Sequence, residues 1–449
     1  MKVLLLSANT LNEPYPVYPL GLDYVAGAIA DHHEVQIADM NTLGGDGALG
    51  EIINRFLPDI IGVSLRNIDN IDSADPRGFI ETYRDLVETL RRQSKAMIVL
   101  GGSGFTLFPE EMMDALGADY GIIGEGERLA LLLDAIDNRK DPTAIPGVIT
   151  RETRRAVPAP WNESFMRGFD GNRSHAGFYL KNGGMLNLQT KRGCPFKCIY
   201  CSYPYIEGRN QRMIAPTEVA DTALRLQAAG AKFLFLTDSV FNSDYSHNIA
   251  VAQAFKKAGV SVPWGAFFMP MKLPDDYFRM MAGAGLTHVE FGTDSLSNRV
   301  LDSYGKPFRV HDVLGTHQAA IDAGLHVAHY FLLGGPGETS DTLNETLSHI
   351  NLLRKSAFVF FCGIRIYPHT TLYDIAVREG QVSRNRSILA PVFYRSSSIE
   401  TEEITHRVKQ EAKDRPNWIM GSGGRKTANI IARLYRRGHT GPLWEYLIA

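Results

Sequence analysis

Two spacings of apolar residues alternate along the chain. Runs such as "KVLLLS" (2–7), "EVQIAD" (34–39), "DIIGVSL" (59–65), "AMIVLGG" (96–102) and "DYGIIGEGE" (119–127) are continuous enough to be short strands buried on both faces. Between them, "LDYVAGAIADH" (22–32), "LGEIINRF" (49–56) and "FIETYRDLVETLRRQ" (79–93) place apolar residues three or four apart, the spacing of one helix face. This alternation predicts a parallel sheet covered by helices, with ligands beyond the carboxyl ends of the strands. Polar and glycine-rich turns fall at those ends, at 7–9, 64–67, 101–104 and 124–127. Glycine there lets backbone approach a ligand closely, and it equally makes an ordinary strand-to-helix turn.

The pattern lapses between 137 and 164, where charge and proline mix and "GVITRETRRAVP" suggests a short hairpin. It restarts at "MLNLQTKRG" (185–193) and continues through "KFLFLTDS" (232–239), "PWGAFFMP" (263–270), "THVEFGTDS" (287–295), "HVAHYFLLGG" (326–335) and "VFFCGIRIYP" (359–368), with helical segments between. Six strands alternating with helices predict a complete or partial (β/α) barrel whose chemistry sits at the carboxyl ends of its strands. Past about 385 come a polar loop and two amphipathic helical patterns, 401–414 and 425–439, the second basic. A solvated face accounts for that basic helix, as would contact with tRNA or a membrane. The expected layout is a Rossmann-like α/β domain (1–145), a linker (146–184), a partial (β/α)6 barrel (185–384) and a helical C-terminal region (385–449).

Composition narrows the function classes. With 449 residues the chain is too long for one ordinary domain. A formal net charge of −2 argues against a general nucleic-acid binder. No stretch reaches the ~18–20 apolar residues that span a bilayer, and the opening "MKVLLLSANT" has too short an apolar run for a signal segment, so a cytoplasmic protein is expected. Four cysteines are no disulfide framework at this size.

Three of the four cysteines lie together in "TKRGCPFKCIYCSYP": Cys194, Cys198 and Cys201, spaced C-x3-C-x2-C after the first barrel strand. Thiolates suit zinc or an iron–sulfur cluster. Structural zinc normally takes four protein ligands, and no fourth Cys or His stands nearby at zinc-finger spacing. Three cysteines can hold three irons of a [4Fe–4S] cluster and leave the fourth open.

That spacing, with aromatic Tyr200 before the last cysteine, resembles the radical S-adenosylmethionine (SAM) superfamily, where the open iron chelates SAM. The N-terminal strings "PVYPLGLDYVAGAI", "PDIIGVSL", "IVLGGSGFTLFPEE", "ADYGIIGEGE" and "IPGVI" resemble, in order and spacing, the cobalamin-binding domain fused to many such enzymes. The resemblance implies a corrin site near Leu20, Gly21, Ser64, Gly101, Gly102, Gly124 and Glu125. The Asp-x-His-x-x-Gly signature of classical cobalamin domains is absent, and Asp31-His32-His33 does not fit it, so no cobalt ligand is named. In the barrel, the resemblance implies that Asp238, with Ser239, meets the methionyl amino group of SAM; a helix cap is the plainer reading of Asp238. It likewise implies ribose or carboxylate contacts at Glu290, Asp294 and Ser295, Ser295 being equally a helix cap. "FLLGGPGET" would set Gly334 and Gly335 beside adenine, or simply form a tight turn capped at Thr339. Arg365, in "GIRIYPHTTLY", would neutralise a carboxylate of SAM or substrate, or make a structural ion pair. Cys362 reads as a small buried hydrophobe.

The function implied is cobalamin-dependent methylation of an unactivated carbon of a small molecule, using a [4Fe–4S] cluster, SAM, cobalamin and a reductant such as flavodoxin or ferredoxin. Two alternatives stand beside it. One is a cobalamin-independent radical SAM enzyme that cyclises its substrate, forms a C–C or C–heteroatom bond, or transfers the aminocarboxypropyl group. The other is a corrin-binding sensor, against which an open-site cysteine trio argues.

Overall fold

A computed structural model describes the chain apart from residues 13–14, 154–156, 159, 163–164, 172–173, 422 and 449. The first five apolar runs form β1 (Lys2–Ser7), β2 (Glu34–Asp39), β3 (Ile60–Ser64), β4 (Met97–Gly101) and β5 (Tyr120–Ile122), all parallel. A two-residue β6 (Val148–Ile149) joins antiparallel, giving the order β2-β1-β3-β4-β5-β6. The hairpin expected around these residues runs into 154–156, which lie outside the described residues. Because β1 and β3 are covered on both faces, Val3–Leu6 and Ile60–Val63 are buried throughout, as their unbroken apolar runs require. The register sets Ser7 level with Asp39 and Ser64, and Ser64 level with Gly101, so the polar turns share one edge.

The second sheet starts with β7 (Met185–Leu188). Two short strands, β8 (Lys191–Arg192) and β9 (Arg212–Met213), then pair antiparallel and close off the loop that carries the three cysteines. The sheet continues with β10 (Phe233–Leu236), β11 (Trp264–Phe268), β12 (Leu286–Asp294), β13 (His326–Leu333) and β14 (Ser356–Cys362). After a small antiparallel pair, β15 (Ile364–Arg365) and β16 (Phe393–Tyr394), comes β17 (Trp418–Met420). The order β7-β10-β11-β12-β13-β14-β17 follows the sequence, every pairing is parallel, and this is the arrangement of a partial barrel.

Between the two expected C-terminal helices the structure adds a strand, β17, that the sequence pattern does not announce. Three residues between the helices Thr401–Glu411 and Gly424–Arg436 carry no readable period, yet they extend the sheet by pairing with Phe358–Phe360. Packing decides it: the Trp418 ring lies 4.7 Å from that of Phe360. Among the described residues no helix is long and apolar enough to cross a membrane.

One apolar core runs through both sheets' neighbourhoods. It joins Leu65, Ile68 and Phe105 of the first to Ile199, Tyr304, Ile364 and Leu372 of the second. Each such side chain contributes about 1.5–3 kcal/mol when fully buried. Polar clamps flank this core: Arg167 to Asp23 at 2.9 Å, Tyr179 Oη donating to Asp39 Oδ2 at 2.6 Å, and Arg365 to Asp69 at 2.8 Å. The cysteine loop and the polar edge of the first sheet are thereby held together.

Candidate active site

The cysteine loop is fixed by its backbone before any ligand is considered. Gly193, at φ +89°, turns the chain out of β8, and a Cβ there would lie 2.3 Å from the Asn210 carbonyl oxygen. Only glycine fits. Its N–H donates to Glu207 Oε2 at 3.1 Å, and the Cys194 N–H donates to the Gly208 carbonyl at 3.1 Å. Further along, the Ile199 N–H donates to the Tyr304 carbonyl at 3.1 Å, and the Leu372 N–H donates to that of Ile199 at 2.8 Å.

None of the three cysteines is in a disulfide; Cys194 is buried, and Cys198 and Cys201 are half-buried. Burial, reinforced by the neighbouring Cys198, raises the Cys194 thiol, and burial with both other cysteines pushes Cys201 up to about 12. Left alone these thiols keep their protons; a bound cationic centre reverses that, and its binding releases them. Among the described residues no three His, Cys, Asp or Glu side chains converge on a single point as ligands of one ion would. A cluster presents its irons at separate corners, so its thiolates stand further apart than those of a single zinc.

Tyr200, inside the loop, donates to Asp294 and accepts from Lys306 Nζ at 2.9 Å; Lys306 pairs with Asp294 at 2.6 Å. Asp294 ends β12 at φ +60°, where the register with β13 slips, and this strained bend turns its carboxylate to the loop. Burial alone would lower the Lys306 ammonium, but Asp294 and then Cys198 override it and hold the lysine protonated.

The edge of the first sheet carries the second feature. A slot of about 100 Å³ opens between sheet and helix, lined by Gly21, Val25, Gly62, Ser64, Gly101 and Gly102 among others. A Cβ on Gly21 would meet nothing within 4 Å, whereas Gly102, at φ +101°, has the Leu65 carbonyl oxygen 2.8 Å from where a Cβ would be. The turn after Gly102 leads into a short helix, Ser103–Leu107, which packs against Tyr203–Ile206, the helix directly after the last cysteine.

Comparison with known proteins decides what these features belong to. Residues 188–350 match the radical SAM superfamily, and residues 7–133 match the B12 binding domain. The chain is a radical SAM enzyme with an N-terminal B12-binding domain. It is 25% identical over 443 residues to the tryptophan 2-C-methyltransferase of Streptomyces laurentii, covering 82% of this chain and 73% of that one. It is 26% identical to an uncharacterized methyltransferase of Pyrococcus horikoshii, covering 80% and 78%. In fold it is similar to the radical SAM methyltransferase TsrM of Kitasatospora setae, at TM-score 0.86 and 21% identity over 99% and 97% of the two chains. That protein's structures hold cobalamin and a [4Fe–4S] cluster, or tryptophan and a SAM analogue. The cobalamin-dependent enzyme OxsB is similar at TM-score 0.73 and 15% identity, over 92% of this chain and 67% of that one.

The cofactors of this radical SAM enzyme are thus a [4Fe–4S] cluster, SAM and cobalamin, and its side chains fit each. Three undisulfided thiols in one loop suit the cluster. The Ser239 hydroxyl, buried three residues past β10 without a hydrogen-bond partner, is a polar group that a ligand could satisfy. The glycine-lined slot suits part of a corrin cofactor.

Several residues expected at the site are committed elsewhere. Arg365 donates to Asp69 and to the carbonyls of Ile366 and Ile388, all buried, which makes it the structural ion pair and not a carboxylate anchor. Asp238 neither caps a helix nor stands free: it accepts from Thr190 N at 2.7 Å and from Lys191 Nζ at 3.0 Å. Glu125 lies outside the slot and accepts from Arg192 at 2.7 Å and Arg212 at 2.6 Å, tying the B12-binding domain to the strand that leads into the cysteine loop. Glu290 is held by Trp444 Nε1 at 3.0 Å and Tyr330 Oη at 2.8 Å, and burial raises its carboxyl. Ser295 is fully buried, accepting from the Ser297 N–H at 3.1 Å and bonded to Thr346 at 3.0 Å; the helix itself begins one residue after Ser297. Gly335 has no room for a side chain because the Ile364 methyl and the Tyr304 ring would lie 2.5 and 2.6 Å from its Cβ, while Gly334 sits at φ +90°. Leu20 packs in the core around Tyr179, and the Gly124 N–H donates to Thr106 Oγ1 at 2.9 Å.

Sequence reasoning passed over Lys306, Arg192 and Arg66. The Arg192 signal was its place two residues before Cys194. Lys306, in "SYGKPF", offered none, since its partners are 12 and 106 residues away. Arg66, at the same sheet edge as Ser64, makes no ion pair among the described residues, and burial lowers its guanidinium.

Proposed function

We propose that this enzyme methylates a carbon of a small-molecule acceptor, moving a methyl group from SAM by way of cobalamin. One observation carries the reading: the sheet edge that lines the slot packs, through the helix Ser103–Leu107, against the helix that follows the cysteines. Cofactors seated on these two elements would be neighbours, as methyl transfer between them requires. The naming of relatives across most of the chain as methyltransferases supports it.

When bound, the cluster supplies electrons to the SAM sulfonium and the corrin supplies a carrier for the methyl group. Cys194, Cys198 and Cys201 would hold three irons, leaving the fourth to SAM. Gly21, Ser64, Gly101 and Gly102 would line the corrin's seat, and Ser239 would meet SAM. Ile199 and Tyr304, buried beside the loop, exclude water from its inner side. Lys197 and Arg209, exposed at its outer rim, suit an acidic electron donor such as flavodoxin or ferredoxin.

Anaerobic reconstitution with iron, sulfide and hydroxocobalamin tests this. The expected result is cluster iron together with bound cobalt in the same chain, and transfer of isotopic label from the SAM methyl group to product. Iron uptake with no cobalt retained overturns the reading.

A further inference from the structure

The segment 304–306 grips the cysteine loop at three successive residues. The Tyr304 carbonyl accepts from the Ile199 N–H at 3.1 Å. Gly305 lies so close to the loop that a Cβ would stand 2.7 Å from the Lys197 carbonyl oxygen. Lys306 reaches Tyr200, one of the two residues between Cys198 and Cys201, with its Nζ 2.9 Å from the phenol oxygen and 5.3 Å from the ring centre. Its side chain is 4% exposed, and the only carboxylate pairing with it among the described residues is Asp294, at 2.6 Å.

A buried ammonium in this position has a consequence beyond packing. Three thiolates around a [4Fe–4S] core leave the site anionic, and one-electron reduction adds a further negative charge. In water-poor surroundings such charge is costly unless a fixed cation stands close. The geometry points to Lys306 as the counter-charge of the reduced cluster, with Tyr200 and Asp294 as the positioning residues that hold it against the loop. Lys306 thus tunes the potential at which an external one-electron donor reduces the cluster. This rests on Cys194, Cys198 and Cys201 being the cluster ligands, a point that iron loss in Cys198→Ala decides separately.

Two features distinguish this from a simple ion pair. The tyrosine belongs to the loop itself and the lysine to a segment 106 residues on, so a break in the pair changes the loop's surroundings and not merely a surface contact. Asp294 is the opposing charge, so the two members of the pair act on the potential in opposite directions.

The experiment is an EPR-monitored redox titration of the reconstituted full-length protein with dithionite and mediators, without acceptor substrate. Lys306→Met is expected to move the cluster midpoint to more negative potential, Asp294→Asn to move it positive, and Tyr200→Phe, which keeps both charges, to move it least. The double variant D294N/K306M removes both charges and so leaves no buried carboxylate unpaired. A midpoint like wild type in K306M, or, should K306M not fold, a midpoint in the double variant equal to that of D294N alone, overturns the proposal. If neither methionine variant retains iron, Lys306→Arg decides. Iron content and midpoint close to wild type support the charge role, and iron loss equal to the methionine variants assigns Lys306 to packing alone and overturns it.

Discussion

Arg192 binds Glu125 at 2.7 Å and so joins the strand that leads into the cysteines to the carboxyl edge of the other sheet. The same guanidinium reaches Glu127 at 2.6 Å, and Arg212 shares Glu125 at 2.6 Å. Arg192 also lies 4.6 Å from the centre of the Tyr24 ring and 4.5 Å from that of Phe165, so it is packed as well as paired. Position of the loop relative to the slot therefore depends on a few buried charges.

Removing Glu125 leaves Arg212 without a carboxylate among the described residues and Arg192 with Glu127 alone. Glu125→Ala is expected to cost about 3–5 kcal/mol of stability. Urea unfolding of the apo-protein measures this. The reconstituted variant should also lose iron faster on exposure to a chelator; wild-type stability and iron retention would show the network to be dispensable.

Arg365 gives a sharper contrast between structure and binding. Arg365→Met leaves Asp69 buried and unpaired, so a loss of about 3–5 kcal/mol is expected. SAM affinity of the folded fraction, measured by equilibrium dialysis, should be unchanged within about twofold, because the guanidinium is fully engaged by Asp69 and backbone carbonyls. A selective loss of SAM binding with stability intact would restore Arg365 to the site.

The slot predicts opposite outcomes for two neighbouring glycines. Gly21→Leu places a side chain where nothing stands within 4 Å, so folding and iron content should be unchanged while cobalt uptake falls about tenfold or more. Gly102→Ala forces a Cβ against the Leu65 carbonyl at positive φ and should lower the melting temperature whether or not cobalamin is present. Equal cobalt uptake by wild type and Gly21→Leu would move the corrin elsewhere.

A buried histidine pair governs part of the acid response. His329 is wholly buried between Thr293 at 2.7 Å and His317 at 3.1 Å. Burial lowers both rings, His317 to about 4. An unfolded chain protonates histidine near ~6.5, so between there and about 4 the unfolded state binds more protons. The pair's contribution to stability is full above ~6.5 and falls with pH, by up to about 1.4 kcal/mol per pH unit for each ring. Carboxyls raised by burial, such as Glu290 and Glu338, act in the opposite sense, so the useful quantity is a difference. Melting temperature between pH 7.5 and pH 5, ~6.5 being the hinge, should fall less steeply in H317Q/H329Q than in wild type. Identical slopes would mean that the rings do not titrate on unfolding.

Sheets and cysteines were legible because both are local signals. A strand buried on two faces must be apolar without interruption, as β1, β3 and β14 are, and a three-thiolate loop is written in eight consecutive residues. Charged residues were a different matter. Asp238, Glu125 and Arg365 looked available because their partners, Lys191, Arg192 with Arg212, and Asp69, are 47 to 296 residues away in sequence. Nothing in a linear pattern says that a carboxylate is already neutralised. β17 was missed for a related reason: its place in the sheet comes from the edge of β14 and the ring of Phe360, not from its own three residues.

The clamp between Glu125, Glu127 and Arg192 also bears on how the molecule comes to exist. During synthesis the two carboxylates leave the ribosome before the arginine does, so the first domain emerges carrying an anionic socket that the later strand must find. A separately expressed barrel would have a guanidinium with no socket beside the start of its cysteine loop. The two halves are one inheritance unit, and exchanging the first domain for that of a relative should succeed only where the relative brings both carboxylates with it.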